Sequence, residues 1–140
     1  RGYIRSRKGH CLPMYSPIDV QLDGDDKTIV QPDVLVLCDA GRLSGNTILG
    51  APDLVVEVLS KVTRKKDMFV KLNKYMNAGV KEYWMVDFEK MKVIVYDFLH
   101  ENYPVIYGIH DVVPVGIFEG ECQIDFGEIY EYLKSFGLVE

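Results

Sequence analysis

Between Asp53 and Val86 the sequence switches from one period to another and back, and this stretch limits the possible folds more than any other. Asp53 to Leu59 is a continuous apolar run broken only by Glu57, the pattern of a central strand covered on both faces. Residues 64–78 then take a helical period, with Met68, Leu72, Tyr75 and Met76 on one stripe at i, i+4, i+7 and i+8. Thr63 is placed to cap the start of this helix, and Gly79 takes the preferred post-helix position. Glu82 to Val86 reads as the next strand. Strand, helix and strand in this order form a crossover unit, which is right-handed and makes its two strands parallel.

The remaining segments are joined by short turns, which favour antiparallel pairing. Ile18 to Leu22 alternates as a half-buried strand, and Asp23 to Asp26 reads as a turn. Thr28 to Val30 and Asp33 to Cys38 are extended segments on either side of Pro32, and Ala40 to Gly50 is a loop with three glycines. Asp87 to Lys90 suits a hairpin between Glu82–Val86 and a strand over Lys92–Phe98. Tyr103–Tyr107 and Glu121–Ile124 are weaker strands, and Gly127–Phe136 is a short closing helix. The expected fold class is α/β, slightly ahead of α+β: a mixed β-sheet with flanking helices.

With 140 residues, 48% of them hydrophobic, the chain has the size and composition of one globular domain. No apolar run approaches the roughly 20 residues of a membrane helix. Cys11, Cys38 and Cys122 are odd in number and far apart, and read as three thiols in a reducing cytosol, so the expected location is cytoplasmic. The net charge of −5 argues against a protein that coats nucleic acid, but it is unevenly spread. Residues 1–96 carry 15 of the 16 Lys and Arg against 12 acids, a net +3, whereas residues 97–140 reach −8. Arg1, Arg5, Arg7 and Lys8 form one basic cluster; Lys61, Arg64, Lys65, Lys66, Lys71 and Lys74 form another.

Glu57 is the residue that most needs a partner, because an unpaired charge in such a run costs several kcal/mol. A helix lysine is one candidate partner; a metal ion shared with a second carboxylate is another. Two acids follow a proline, Asp33 and Asp53. Asp53 shares the face of Glu57 but lies four residues away, about 13 Å along a straight strand, too far for one ion to bridge. Asp33 opens the preceding strand while Glu57 lies near the end of its own. Antiparallel pairing of those strands would bring the two carboxylates together, which leaves Asp53 to serve the start of its strand. A pair of carboxylates makes an oxygen site suited to Mg²⁺ or Mn²⁺. His10, His100 and His110 have no ligand spacing and read as surface or loop histidines.

Pro32-Asp33 followed by Glu57-Val58-Leu59 resembles the PD-(D/E)xK nuclease superfamily. More narrowly, Gln31-Pro32-Asp33-Val34, the run Pro52 to Ser60, and Asp67, Lys71, Tyr75, Ala78-Gly79-Val80 and Glu82-Tyr83-Trp84 in that order resemble the Uma-two family of bacterial restriction-endonuclease-like proteins. The resemblance spans about residues 17–133. It implies a single restriction-endonuclease-like domain over residues 1–140, lacking an N-terminal segment of helix and strands that members usually carry.

By this resemblance Asp33 and Glu57 are the Mg²⁺ ligands, with the backbone carbonyl of Val58 a third. The superfamily pattern places a lysine two residues after the glutamate, where this sequence has Leu59. The family pattern moves that lysine to the helix, where Lys71 matches. On the helical wheel Lys71 falls about 60° from Met68, at the edge of the apolar stripe, so a long stem can run along the sheet to the cleft. Asp67, at i−4, competes as its surface partner. Tyr75 and Trp84 read as core residues.

The expected function is Mg²⁺-dependent endonucleolytic cleavage of DNA, with Asp33, Glu57 and Lys71 catalytic. Lys61, Arg64, Lys65, Lys66 and Lys74 are the expected nucleic-acid-binding residues, since lysines and arginines neutralise phosphates. A homodimer is implied by the resemblance, because cutting two antiparallel strands needs two active sites. The alternative, favoured by Leu59, is a catalytically inactive nucleic-acid-binding or partner-binding domain on the same fold.

Overall fold

The computed structural model describes residues 11–15, 18–22, 29–59, 65–100, 103–118 and 123–135. Before the crossover helix lie β1 (Leu12–Tyr15), β2 (Asp19–Gln21), β3 (Ile29–Val30), β4 (Val34–Leu37), β5 (Leu43–Ser44), β6 (Thr47–Leu49) and β7 (Leu54–Val58). The helix is α1 (Lys65–Ala78). After it come β8 (Glu82–Asp87), β9 (Lys92–Asp97), β10 (Val105–Gly108), β11 (Val112–Pro114), β12 (Gln123–Asp125) and α2 (Phe126–Ser135).

The run after Asp53 becomes the centre of a six-stranded sheet in the order β1-β4-β7-β8-β9-β10. β7 and β8 are parallel, with Glu57 level with Met85, as the crossover unit requires. The other neighbours in this sheet are antiparallel. Gly79, at φ 98°, ends α1 in a conformation that favours glycine, and the chain turns at once into β8.

Successive residues of β7 and β8 face opposite sides, so the sheet carries two cores. On one side Leu35, Val55, Tyr83 and Met85 pack under Met68 and Tyr75 of α1. On the other, Val36, Leu54, Trp84 and Val86 pack with Phe126 and Tyr130 of α2. Trp84 and Tyr75 are fully buried, as expected. Met76 is 46% exposed, because it lies about 80° from Met68 on the helical wheel and falls off the stripe.

Three expectations are corrected. The described residues are mostly β, in mixed sheets with few helices, rather than α/β: one crossover helix serves the main sheet, β8, β9 and β10 follow one another directly, and the chain passes through the second sheet between β1 and β4 and again between β4 and β7. The loop over Ala40–Gly50 contains a 3-10 turn, Ala40–Arg42, and the hairpin β5–β6, turned by Gly45 at φ 61°. β6 then runs parallel to β2 in a second sheet of order β3-β2-β6-β5. Cys11 and Cys38 form a disulfide, although 27 residues separate them without a motif. The antiparallel pairing of β1 with β4, which sets Leu12 opposite Leu37, brings them together. Cys122, Thr63 and the turn over Asp23–Asp26 lie outside the described residues.

Candidate active site

The antiparallel register of β4 and β7 sets Val34 opposite Val56, so the next pair outward is Asp33 and Glu57. There the side chains take over from the backbone ladder. The Asp33 amide donates to Glu57 Oε1 at 3.1 Å, and the Val58 amide donates to Asp33 Oδ2 at 2.7 Å. Each carboxylate is thus held by the other strand, and both point to the α1 side of the sheet, the side of Leu35 and Val55. Asp33 is exposed and Glu57 is only 4% exposed, so the pair has one wet and one buried member.

Lys71 comes down from α1 to complete the group. It lies three residues after buried Met68 and four before buried Tyr75, so its Cβ faces the sheet. Its stem reaches across and Nζ contacts Glu57 Oε2 at 2.6 Å, with 37% of the side chain still exposed. The helix-lysine partner for Glu57 therefore exists, and it is Lys71. Burial pushes the Glu57 carboxyl above its ordinary value; the hydrogen bond and charge of Lys71 pull it back, and the charge of Asp33 pushes it up again.

The donor set suits a hard cation. Among the described residues no group of three or more His, Cys, Asp or Glu converges, so at this site they offer two carboxylates, Asp33 and Glu57. That is what Mg²⁺ commonly takes, filling its other positions with water and substrate phosphate. An extended residue turns its amide and carbonyl to the same edge, so the Val58 carbonyl faces the Asp33 side as its amide does. Leu59, in the place of the strand lysine, is half-buried in the α1-side core.

The other expected residues fall as follows. Asp53 serves the start of β7: Oδ1 accepts from the Cys38 amide at 2.8 Å, and Oδ2 pairs with Lys81 at 3.0 Å. Lys74 is exposed. Lys65 and Lys66 begin α1, and their side chains are outside the described set, as is that of Asp67. Lys61, Arg64 and His10 lie outside the described residues. His100 contacts Asp97, and exposed His110 meets the ring of Tyr130 edge-on, so neither joins the carboxylates. The sequence reading names Tyr83 only within the family-like stretch Glu82-Tyr83-Trp84 and gives it no role; it lies two residues before Met85 on the strand beside Glu57 and, by alternation, on the face of Met85.

No helix among the described residues is long and apolar enough to cross a membrane. Among curated proteins none matches this chain. Among solved structures, the crystal structure of a "putative nuclease belonging to DUF820" from Anabaena variabilis ATCC 29413 aligns with a TM-score of 0.73 over 94% of this chain and 74% of that one. Identity is 17%, so the likeness speaks for the fold. The model of the family described as "Uma2: Putative restriction endonuclease" matches residues 2–107, the span that holds Asp33, Glu57 and Lys71. The chain therefore belongs to the Uma2 family.

Proposed function

We propose that this protein is a Mg²⁺-dependent endonuclease that hydrolyses phosphodiester bonds in DNA. The observation that carries this reading is the meeting of Asp33, Glu57 and Lys71 from three elements at one end of β7. A bound Mg²⁺ supplies Lewis-acid polarisation of a phosphoryl oxygen and a more acidic water. Asp33 and Glu57 hold the ion, with the Val58 carbonyl as a third oxygen. Lys71, half in water, orients the attacking water and offsets charge that builds on the phosphate. Because the lysine comes from α1, Leu59 is free to remain in the core.

Lys61, Arg64, Lys65, Lys66 and Lys74 serve phosphate neutralisation in this proposal, with little sequence preference. A homodimer supplies the second site needed for a double-strand cut.

One observation favours the second reading, a domain that binds without cutting. Lys71 already holds Glu57 Oε2, an oxygen the ion needs. Cleavage of a DNA duplex with Mg²⁺, by the unsubstituted chain and by Lys71→Met, decides between them. The nuclease reading expects cleavage that falls roughly 10²-fold or more in Lys71→Met, as for loss of a transition-state contact. Cleavage equal in both chains removes Lys71 from the mechanism. DNA binding without cleavage, and without any rise in melting temperature from Mg²⁺ or Mn²⁺, establishes the binding domain.

A further inference from the structure

Beneath the Lys71–Glu57 pair lie two buried groups that the proposed mechanism does not use. The hydroxyls of Tyr75 and Tyr83 are buried and have no hydrogen-bond partner among the described residues. Both side chains are completely covered, and their ring centroids are 5.0 Å apart. Buried hydroxyls nearly always find an acceptor, so two orphans side by side call for a reason.

Their place supplies one. Tyr75 follows Lys71 by four residues, one turn further along α1. Helical side chains tilt toward the N-terminus, so the phenol of Tyr75 leans back toward the turn of Lys71 and its partner Glu57. Tyr83 sits level with Val55 on the strand beside β7, on the face of Glu57 and one pleat before it. Burial first, and then the charges of Glu57 and Asp33, hold both phenols in the neutral O–H form, which can donate.

We propose that the hydroxyls of Tyr75 and Tyr83 are positioning donors for Glu57, which hold its carboxylate, directly or through one water, when Lys71 leaves it for the substrate phosphate. The purpose rests on the nuclease reading, but the exchange of partners does not. Lys71 and the phenols are alternative donors to one buried acceptor. While Lys71 is in place the hydroxyls are idle. Once it is gone, they keep a buried carboxylate from standing unpaired.

A melting cycle on the metal-free chain tests this, using Tyr75→Phe with Tyr83→Phe, Lys71→Met, and all three together. In the unsubstituted background, Phe at both positions should leave the melting temperature unchanged or raise it, because an unpaired buried hydroxyl is removed. In the Lys71→Met background the same change should lower it by several degrees. Equal effects in the two backgrounds overturn the proposal, as does a clear drop in the unsubstituted one, which would mean the hydroxyls already have partners. If Lys71→Met does not fold, Mn²⁺ titration of the double Phe variant replaces the cycle. Affinity about tenfold weaker than that of the unsubstituted chain supports positioning of Glu57, and unchanged affinity overturns it. Failure of Mg²⁺-dependent DNA cleavage strikes the nuclease reading alone, since the melting cycle contains neither metal nor DNA.

Discussion

Two buried glutamates stand on adjacent parallel strands, and they are built for different ends. Glu57 on β7 faces α1, and Glu82 on β8 faces α2. They are 4% and 1% exposed, and burial raises the carboxyl of each above its ordinary value. Glu82 is closed in by neutral donors. Trp84 Nε1 donates to Oε2 at 2.6 Å, and the Gly116 and Ile117 amides donate at 3.2 and 2.9 Å. Those amides open a 3-10 turn, so Glu82 ties the segment before β12 onto the sheet. Glu57 instead accepts from one backbone amide, that of Asp33, and from the partly exposed Lys71 ammonium at the end of its strand, beside the exposed Asp33 carboxylate. Burial of a charge alone does not mark a site. Its surroundings do: Glu82 is closed in by three neutral donors, while Glu57 has a neighbouring exposed carboxylate and shares one oxygen with a lysine that reaches water.

The comparison breaks most visibly at Glu82. Glu82→Ala leaves one buried donor, the Trp84 indole, and two part-buried amides without an acceptor, at about 1–3 kcal/mol for each donor that water cannot reach, so we expect a loss of about 2–4 kcal/mol. A shift in the urea midpoint measures it; a loss below about 1 kcal/mol would show that the clamp is not structural. Glu57→Gln should act the other way round. Its metal-free stability falls less, because Lys71 can turn into water, while cleavage drops roughly 10²-fold or more and stabilisation by Mn²⁺ disappears. Calorimetric scans with and without Mn²⁺ read both effects, and a retained Mn²⁺ shift removes Glu57 from the metal site.

A smaller effect is expected at Gly116. A Cβ there would come within 2.5 Å of Asp97 Oδ2 and 3.0 Å of Glu82 Oε1. Asp97 has little freedom to yield, since its Oδ1 accepts from the Leu99 and His100 amides. Gly116→Ala should therefore cost about 1–3 kcal/mol by overpacking, with metal binding unchanged. Loss of metal stabilisation in this variant would couple two regions that the structure keeps on opposite faces.

The smallest effect is a slope with pH. Glu82 titrates above its ordinary 4.5 in the fold, pushed up by burial and by the charge of Asp97 and held down in part by its three donors. The folded protein thus binds this proton more tightly than the unfolded chain. The resulting stabilisation is complete below pH 4.5 and is lost as pH rises through the folded value. Glu82→Gln should flatten the fall of stability with pH above that point, as seen in urea midpoints at successive pH values. An unchanged slope would assign the proton to another group.

Local pattern was sufficient for the elements around the site. The apolar run through Glu57, the stripe from Met68 to Tyr75 and the glycine after Ala78 each act within one turn or a few strand residues, so they can be read in order along the chain. The convergence of Asp33 with Glu57 was also legible, because a strand start must meet a strand end when neighbours run antiparallel. Glu82 was not, since a glutamate at the head of a strand carries no mark of burial; its donors Gly116 and Ile117 are 34 and 35 residues away.

By itself, then, the sequence determined the strands and helix of the parallel crossover and the main antiparallel strands beside it, and one charge inside an apolar strand that had to find a partner; β1, the hairpin β5–β6 and β11 were not legible in it. Only the tertiary structure decided who the partners are. It set Lys71 on Glu57, Cys11 against Cys38, the second parallel pair β2–β6, and the two silent phenols beneath the carboxylates. The reason is physical. Periodicity arises from repeated short-range geometry, whereas a partner is chosen by strand register and by where a distant loop returns, and both depend on how the whole chain packs.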